Sequence, residues 1–418
     1  MRSRWTAATL SFIVVLLVGA SPGQKHALKT LLLLTLLGSV LVVAPSAQAS
    51  VSCTVTVSPG QDIQAAIDSV PAGSTICIES GTYAISATLV PQQGDTLYGQ
   101  GHPRPLIDCS AVLYCIDGSA GPSGVSLKKL GFEGAGSTDV RTGDGWKLVS
   151  VQATDSAGVG IGVSGTGVVV SGSYAADNGQ FGLRAVKATN LTVTSTEVAF
   201  NPTNPSFGIE FSGGAKFNGV VGLTVKQSYF HDNGGEAGLW LDIDSKSFRL
   251  TGDRSLNNTG ENIRIEISCY GVLKNDTTGG GGSAGGGSAE IDLVNSHNVT
   301  VQDSSVSASA ADLFGVRMIS NGRTTSPGTG ACMTSGAYQN ANNQAVSNQV
   351  TMPASASSGV IYNGGVSTGN SWSANAWSLP SCDNLQWQWW DGTTKQRVDF
   401  AGWQGFGQDL TGSCTASA

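Results

Sequence analysis

Gly182-Leu183-Arg184-Ala185-Val186, Gly208-Ile209-Glu210-Phe211-Ser212, Gly238-Leu239-Trp240-Leu241-Asp242 and Asn262-Ile263-Arg264-Ile265-Glu266 are variants of one phrase. Between Val168 and Ser320 the phrase closes a unit of about 24 residues. Each unit reads as an apolar extended strand, a polar Asn/Asp turn, then this Gly- or Asn-led strand. A unit that short cannot bury its own apolar side, so neighbouring units must stack.

Working outward, the first strands of the units begin at Val168, Leu191, Leu223, Phe248, Val272 and Val299, at spacings of 23, 32, 25, 24 and 27 residues. The interiors stay periodic while the turns absorb insertions. One insertion is Pro202-Thr203-Asn204-Pro205. Another, Gly279 to Ala289, is nearly all Gly and Ser and reads as a flexible surface excursion. Helical periodicity is missing between the strands, which disfavours a βαβ sheet, and no leucine-rich signature occurs. Coils of this length with Asn at the bends point to a parallel β-helix. Asn233, Asn257 and Asn258 suit sharp bends, by left-handed backbone or by side-chain bonds to the backbone.

The flanks give the domain plan. Residues 1–49 read as a signal peptide: apolar runs at Leu10–Ala20 and Leu31–Ala44, the second preceded by Lys25 and Lys29, then the small-x-small site Ala47-Gln48-Ala49. An uncleaved anchor is the rival reading, but the second run is short for a membrane span. Residues 50–105 read as an N-terminal cap and first coils. A helix over Asp62–Val70 is expected there, N-capped by Ser58 with Gln61 completing a capping box, and strands at Thr75–Ile78, near Thr88–Val90 and at Thr96–Tyr98. Residues 106–320 read as the β-helix proper. Residues 321–418 read as further coils and a Trp/Cys-rich cap. There Trp372, Trp377, Trp387, Trp389, Trp390 and Trp403 serve either as a wrap over the end of the stack or as a sugar-stacking platform.

Eight cysteines and an export leader suggest disulfides. Cys109 with Cys115 would close a small loop, and Cys382 with Cys414 would pin the tail, though spacing alone does not settle the pairing. No two cysteines have C-x-x-C spacing and only four histidines occur, which argues against a structural metal site. The formal charge of −7 includes four basic and no acidic residues before Ser50, so the mature chain lies near −11. Nucleic acid and anionic membranes are disfavoured as partners. A secreted, extracellular monomer is expected, with no membrane contact after leader cleavage.

Candidate chemistry comes from the strand period of two. Leu183/Ala185, Ile209/Phe211, Leu239/Leu241 and Ile263/Ile265 turn inward, extended by Ile291/Leu293 and Val316/Met318. Arg184/Val186, Glu210/Ser212, Trp240/Asp242, Arg264/Glu266, Asp292/Val294 and Arg317/Ile319 then face out. With rungs ~4.8 Å apart, Asp242 and Glu266 become neighbours. Carboxylates roughly 5–5.5 Å apart fit retaining glycoside hydrolysis, and ~6.5–9.5 Å fits inversion. On this reading Glu266 is the proton donor, Asp242 the nucleophile or base, and Glu210 the reserve acid. Arg184 and Arg264 orient substrate, Trp240 stacks beneath a sugar, and Asp292, Arg317 and the bend residue His231 complete the substrate-binding set. A hydrolase of this kind needs no cofactor. Asp242, Asp244 and Glu266 also offer hard oxygen ligands for Ca2+, which would make the reaction a calcium-dependent β-elimination on a uronate polymer. A third reading is a solvated ion-pair ladder that only stabilises the stack. No phosphate loop, dinucleotide fingerprint, H-E-x-x-H or G-x-S-x-G motif occurs.

Asp62-Ile63-Gln64-Ala65-Ala66-Ile67-Asp68 with Pro71-Ala72-Gly73, then Ile78-Glu79-Ser80-Gly81-Thr82-Tyr83 and Tyr98-Gly99-Gln100-Gly101, resemble secreted proteins of the pectate-lyase-like superfamily. The likeness covers about Val55 to Ser320. It implies an all-β, single-stranded right-handed parallel β-helix with an N-terminal capping helix. That superfamily includes lyases, hydrolases, uronate epimerases, phage tailspikes and adhesins, many of them acting in a groove outside the helix. The Asn-Thr-Asp, Asp-pair and Gly-His-Gly signatures of polygalacturonases are missing here, so site residues do not transfer. The expected partner is a polysaccharide or oligosaccharide. The expected activity is glycosidic-bond cleavage, by hydrolysis first and calcium-dependent lysis second, with a non-catalytic glycan-binding or adhesive envelope protein as the other class.

Overall fold

The computed structural model describes residues 51–417 except 120, 283–288, 310–313, 363, 366 and 391–394. The signal peptide read at 1–49 and most of the Gly/Ser excursion lie outside the described residues. Cys53–Ala418 forms one compact unit. Its chain winds as a single-stranded right-handed parallel β-helix whose successive coils each add a strand to three long sheets. No described helix is long and apolar enough to cross a membrane.

Two inward stacks on the third sheet carry the core. Leu183, Ala215, Leu239, Ile263, Ile291 and Val316 align rung on rung, as do Ala185, Phe217, Leu241, Ile265, Leu293 and Met318. All are buried. Full burial of one such Leu or Ile contributes roughly 1.5–3 kcal/mol, so the alternation fixes which face of every strand turns in.

One rung differs from the sequence reading. Gly208–Ser212 is not a strand: Ile209–Phe211 forms a short 3-10 turn, with Ile209 47% and Phe211 63% exposed. The strand of that coil is Gly213–Asn218, which turns Ala215 and Phe217 inward. The spacing holds the reason. First strands at Leu191 and Leu223 are 32 residues apart, and the same step from Leu183 lands on Ala215. Ile-Glu-Phe alternates like a strand but sits inside the insertion that the long spacing announces.

The Gly-led phrase has a packing cause. Asn178, Asn201, Asn233 and Asn258 stack as a buried ladder at one bend, each Oδ1 accepting from the backbone N–H of the preceding coil's bend residue, at 3.1, 2.8, 3.1 and 3.1 Å. A Cβ on Gly160, Gly182, Gly214 or Gly238 would come closer than 3.0 Å to one of these amides. Each strand therefore opens on glycine because the asparagine occupies the space. Where the ladder lacks a bend asparagine, the lead residue is Asn262, and its own Oδ1 takes the ladder place, accepting from Asn258 Nδ2 at 2.7 Å. Asn257 adopts the left-handed conformation (φ 55°) expected of a bend.

The ends carry smaller differences. The helix spans Ile63–Asp68, and its N-cap is Asp62, whose carboxylate accepts from Ala65 N–H. Ser58 and Gln61 instead close a turn just before it. Near Thr88–Val90 only a bridge between Leu89 and Ile116 forms. Strands are already in register from Val55. All eight cysteines pair, as Cys53–Cys77, Cys109–Cys115, Cys269–Cys332 and Cys382–Cys414. Trp372, Trp377, Trp387 and Trp403 are buried and meet edge to face, so those four indoles are consumed by packing and offer no face to a sugar.

Candidate active site

The outward ladder on the third sheet lines a cleft of about 550 Å³. Its floor follows the registers Arg184, Lys216, Trp240, Arg264 and, two residues on, Asn218 and Asp242. Leu241 pairs with Ile265, so the next residues, Asp242 and Glu266, stand on adjacent rungs about 4.8 Å apart in backbone as the sequence implied. The ladder is not an open flank. Trp240 is 5% and Asp242 6% exposed, and Asp292 is fully buried. Opposite charges pair from rung to rung, and the segment Asn321–Gln339 crosses the strand ends as a strap.

Asp242 and Glu266 each have cationic partners. Asp242 Oδ2 lies 3.0 Å from Lys216 Nζ, and Oδ1 accepts from Ile243 N–H at 2.8 Å. Burial and the neighbouring Glu266 push the Asp242 carboxyl up, against the lowering effect of Lys216. Burial likewise pushes Lys216 down, against the pull of Asp242. Glu266 accepts from Arg264 Nε at 3.1 Å, and Arg323 Nη1 stands 3.5 Å from its other oxygen. Glu210 is not on the ladder. It lies on the 3-10 turn and reaches the cleft only as part of its rim.

Trp240 does not present a free face, because Lys216 Nζ sits 3.0 Å from its ring centroid. Arg264 is enclosed by acids, 3.1 Å from Glu236, Glu261 and Glu266 and 3.8 Å from Asp292. Burial alone would lower its pKa, but these carboxylates more than reverse that, and it is pinned as a cation. Asp292 and Arg317 form a buried bidentate pair at 2.8 and 2.6 Å, behind the cleft rather than in it. Between the two arginines, burial raises Glu261 to about 8. His231 belongs to the second sheet. There it stacks on Tyr229 and contacts Asp232 at 2.6 Å and Glu197 at 3.3 Å, outside the cleft lining.

Arg184 is different. Its Nε is buried without an acceptor, and no carboxylate among the described residues pairs with it. The Nε1 of Trp240 and the Oδ1 of Asn218 are also buried and unpartnered. Two donors and one acceptor on three consecutive rungs thus converge on the cleft with unmet hydrogen bonds, which native proteins rarely leave so.

The calcium set Asp242, Asp244 and Glu266 does not assemble. Asp244 turns away to the strap, accepting from Gly330 N–H (2.7 Å), Cys332 N–H (3.0 Å), Tyr338 Oη (2.9 Å) and Thr329 Oγ1 (3.3 Å). Among the described residues no group of three His, Cys, Asp or Glu side chains could hold a metal ion. With Asp242 and Glu266 also paired to cations, the donor set does not fit calcium.

Sequence reasoning missed Lys216 and Asn218, hidden by the misplaced strand and recoverable from the 32-residue spacing. It missed Glu236, one residue before its strand, and Arg323, which reaches the cleft from outside the repeat and has no periodic signal.

No family model matches the chain, and no curated protein matches it. Solved structures with a similar fold include the A-module of the Azotobacter vinelandii mannuronan C-5 epimerase AlgE6 (15% identity, 76% of this chain and 88% of that one, TM-score 0.56). A mannuronic acid specific polysaccharide family 6 lyase from human gut microbiota is also similar (13% identity, 78% of this chain and 80% of that one, TM-score 0.53). So is XylC in complex with xylose (9%, 76% and 80%, TM-score 0.54). At such identities the likeness establishes the fold alone.

Proposed function

We propose that the chain cleaves an acidic, uronate-bearing polysaccharide by β-elimination in this cleft, with Lys216 as the base. Arg184 carries the reading: its Nε is buried without an acceptor, and the side chain makes no ion pair with a described residue. A cation in that position calls for an anion from outside the chain, and a planar carboxylate is the natural bidentate partner. Arg184 and Lys216 are Cα partners on adjacent rungs, so a carboxylate held on Arg184 places the carbon bearing it within reach of Nζ. Burial drives Lys216 and Asp242 toward sharing one proton as amine and acid.

In the step itself the neutral Lys216 Nζ takes the proton from C5. The electron pair delocalises onto the uronate carboxylate, which Arg184 stabilises. The C4–O4 bond then breaks as the C4=C5 double bond forms, and the departing oxygen keeps the bonding pair and takes a proton from Asp242. Hydrolysis through Asp242 and Glu266 is less well supported, because both oxygens of Glu266 face guanidiniums and none is left to protonate a leaving group.

The test is a panel of polyuronates and neutral glycans. Unsaturated ends, seen by their ultraviolet absorbance, are expected on a polyuronate and are lost in Arg184→Ala and Lys216→Ala. New reducing ends without that absorbance would instead establish hydrolysis, exchange of the C5 hydrogen without cleavage would establish epimerisation, and binding without turnover would establish an adhesive role.

A further inference from the structure

A second cavity, of about 630 Å³, lies beside the cleft where the third-sheet strands end. Asn218 and Ile243 line both cavities, and the strap walls both, with Arg323 in the cleft and Pro327 and Ala331 in the second. We propose that this cavity is a further subsite of the cleft, receiving the next units of the same acidic glycan, with Lys187 and Lys246 as the cations that face their carboxylates. The proposal rests on the reading of the cleft given above.

Four observations carry it. Lys187 follows the strand that bears Arg184, and the Thr189–Val221 and Val221–Lys246 bridges place Lys246 two coils further along the same flank. Neither lysine makes an ion pair with a described residue, whereas Lys216, Arg264 and Arg317 all do. Asp244, the one acid among the described residues of the lining, turns its oxygens to four strap donors and forms no ion pair with either lysine, so the lining keeps two cations against one anion. The unpartnered Oδ1 of Asn218 sits on the shared wall, where a sugar hydroxyl spanning the two cavities would donate to it. A cationic recess continuous with a carboxylate-binding cleft is the arrangement that a polyanion with one charge per sugar requires.

The experiment measures binding of defined oligouronates of increasing length by calorimetry, at fixed moderate salt, to wild type and to the double variant Lys187→Ala/Lys246→Ala. Lys226→Ala on the first sheet serves as a charge control. The double variant is expected to lose about tenfold or more in affinity for long oligomers and to converge with wild type on the shortest, a length-dependent gap of roughly 1.4 kcal/mol. Unchanged affinity at every length, or an equal loss at every length that the control reproduces, overturns the subsite while leaving the cleft intact, as sensitivity to Arg184→Ala would confirm. Wild type that binds no oligouronate of any length overturns the cleft reading and the subsite with it.

Discussion

Replacing Asp244 by alanine should release the strap without unwinding the coils beneath it. The carboxylate gathers two backbone amides and two hydroxyls from Thr329–Tyr338. A hydrogen bond to a charged group contributes about 1.5–3 kcal/mol, but the freed strap regains some of that from water, so a net local loss of about 3 kcal/mol is reasonable for the four together. At ~1.4 kcal/mol per decade this is a change of about a hundredfold in opening. The reporter should be an amide that does not itself bond to Asp244: Tyr338 N–H, which donates to Arg323 O at 2.9 Å. Hydrogen exchange at Tyr338 should accelerate about a hundredfold in Asp244→Ala, while amides of the third-sheet strands keep their protection. The Cys269–Cys332 bond still tethers the strap, which keeps the effect local. The acid dependence runs the same way. Burial alone would raise the Asp244 carboxyl, but the strap donors outweigh it and the pKa falls below the usual 3.8. Its contribution is therefore complete above that value and is lost as pH falls through the lowered one. Exchange at Tyr338 within about threefold of wild type in Asp244→Ala would refute this account of the strap.

Removing the disulfide by Cys269→Ser/Cys332→Ser opens a loop between residues 63 apart and should cost about 4 kcal/mol of stability, read as a lower denaturant midpoint. An unchanged midpoint would contradict it. Lys216→Ala should reduce turnover of a polyuronate by about 10²–10⁴-fold, and Lys216→Arg should not rescue it, because a guanidinium stays protonated. Since the step needs Lys216 as neutral amine and Asp242 as protonated acid, and burial lowers the first and raises the second, the wild-type rate should follow a bell in pH that falls off on both sides of the range between the two shifted values. A fully active Lys216→Arg enzyme would exclude the proposed base. Asn233→Ala strips acceptor and donor from the ladder between Asn201 and Asn258. It should destabilise the protein by about 2–4 kcal/mol in equilibrium unfolding, and a loss of a few tenths would show that the ladder is not a principal support.

The repeat alone determined the architecture. A 24-residue unit with period-two alternation has only one way to hide its apolar side, and stacking then makes Asp242 and Glu266 neighbours whatever the turns do. The inward sets from Leu239 onward follow from that alternation. What the chain's order did not decide was which side chains meet across coils. Ile209-Glu210-Phe211 alternates as well as any strand; the 32-residue spacing points instead to Ala215 and Phe217 for the rung, and the packed register sets Lys216 against the indole of Trp240 and the carboxylate of Asp242. Charge pairing is equally a tertiary matter. Glu236, Glu261, Glu266 and Asp292 come from three coils to surround Arg264, and Arg323 arrives from a strap that no periodicity announces. Local alternation specifies a face because burial energy depends on each residue separately. Partnership depends on distances between coils, and those are set only when the whole stack, its insertions and its disulfides close around one another.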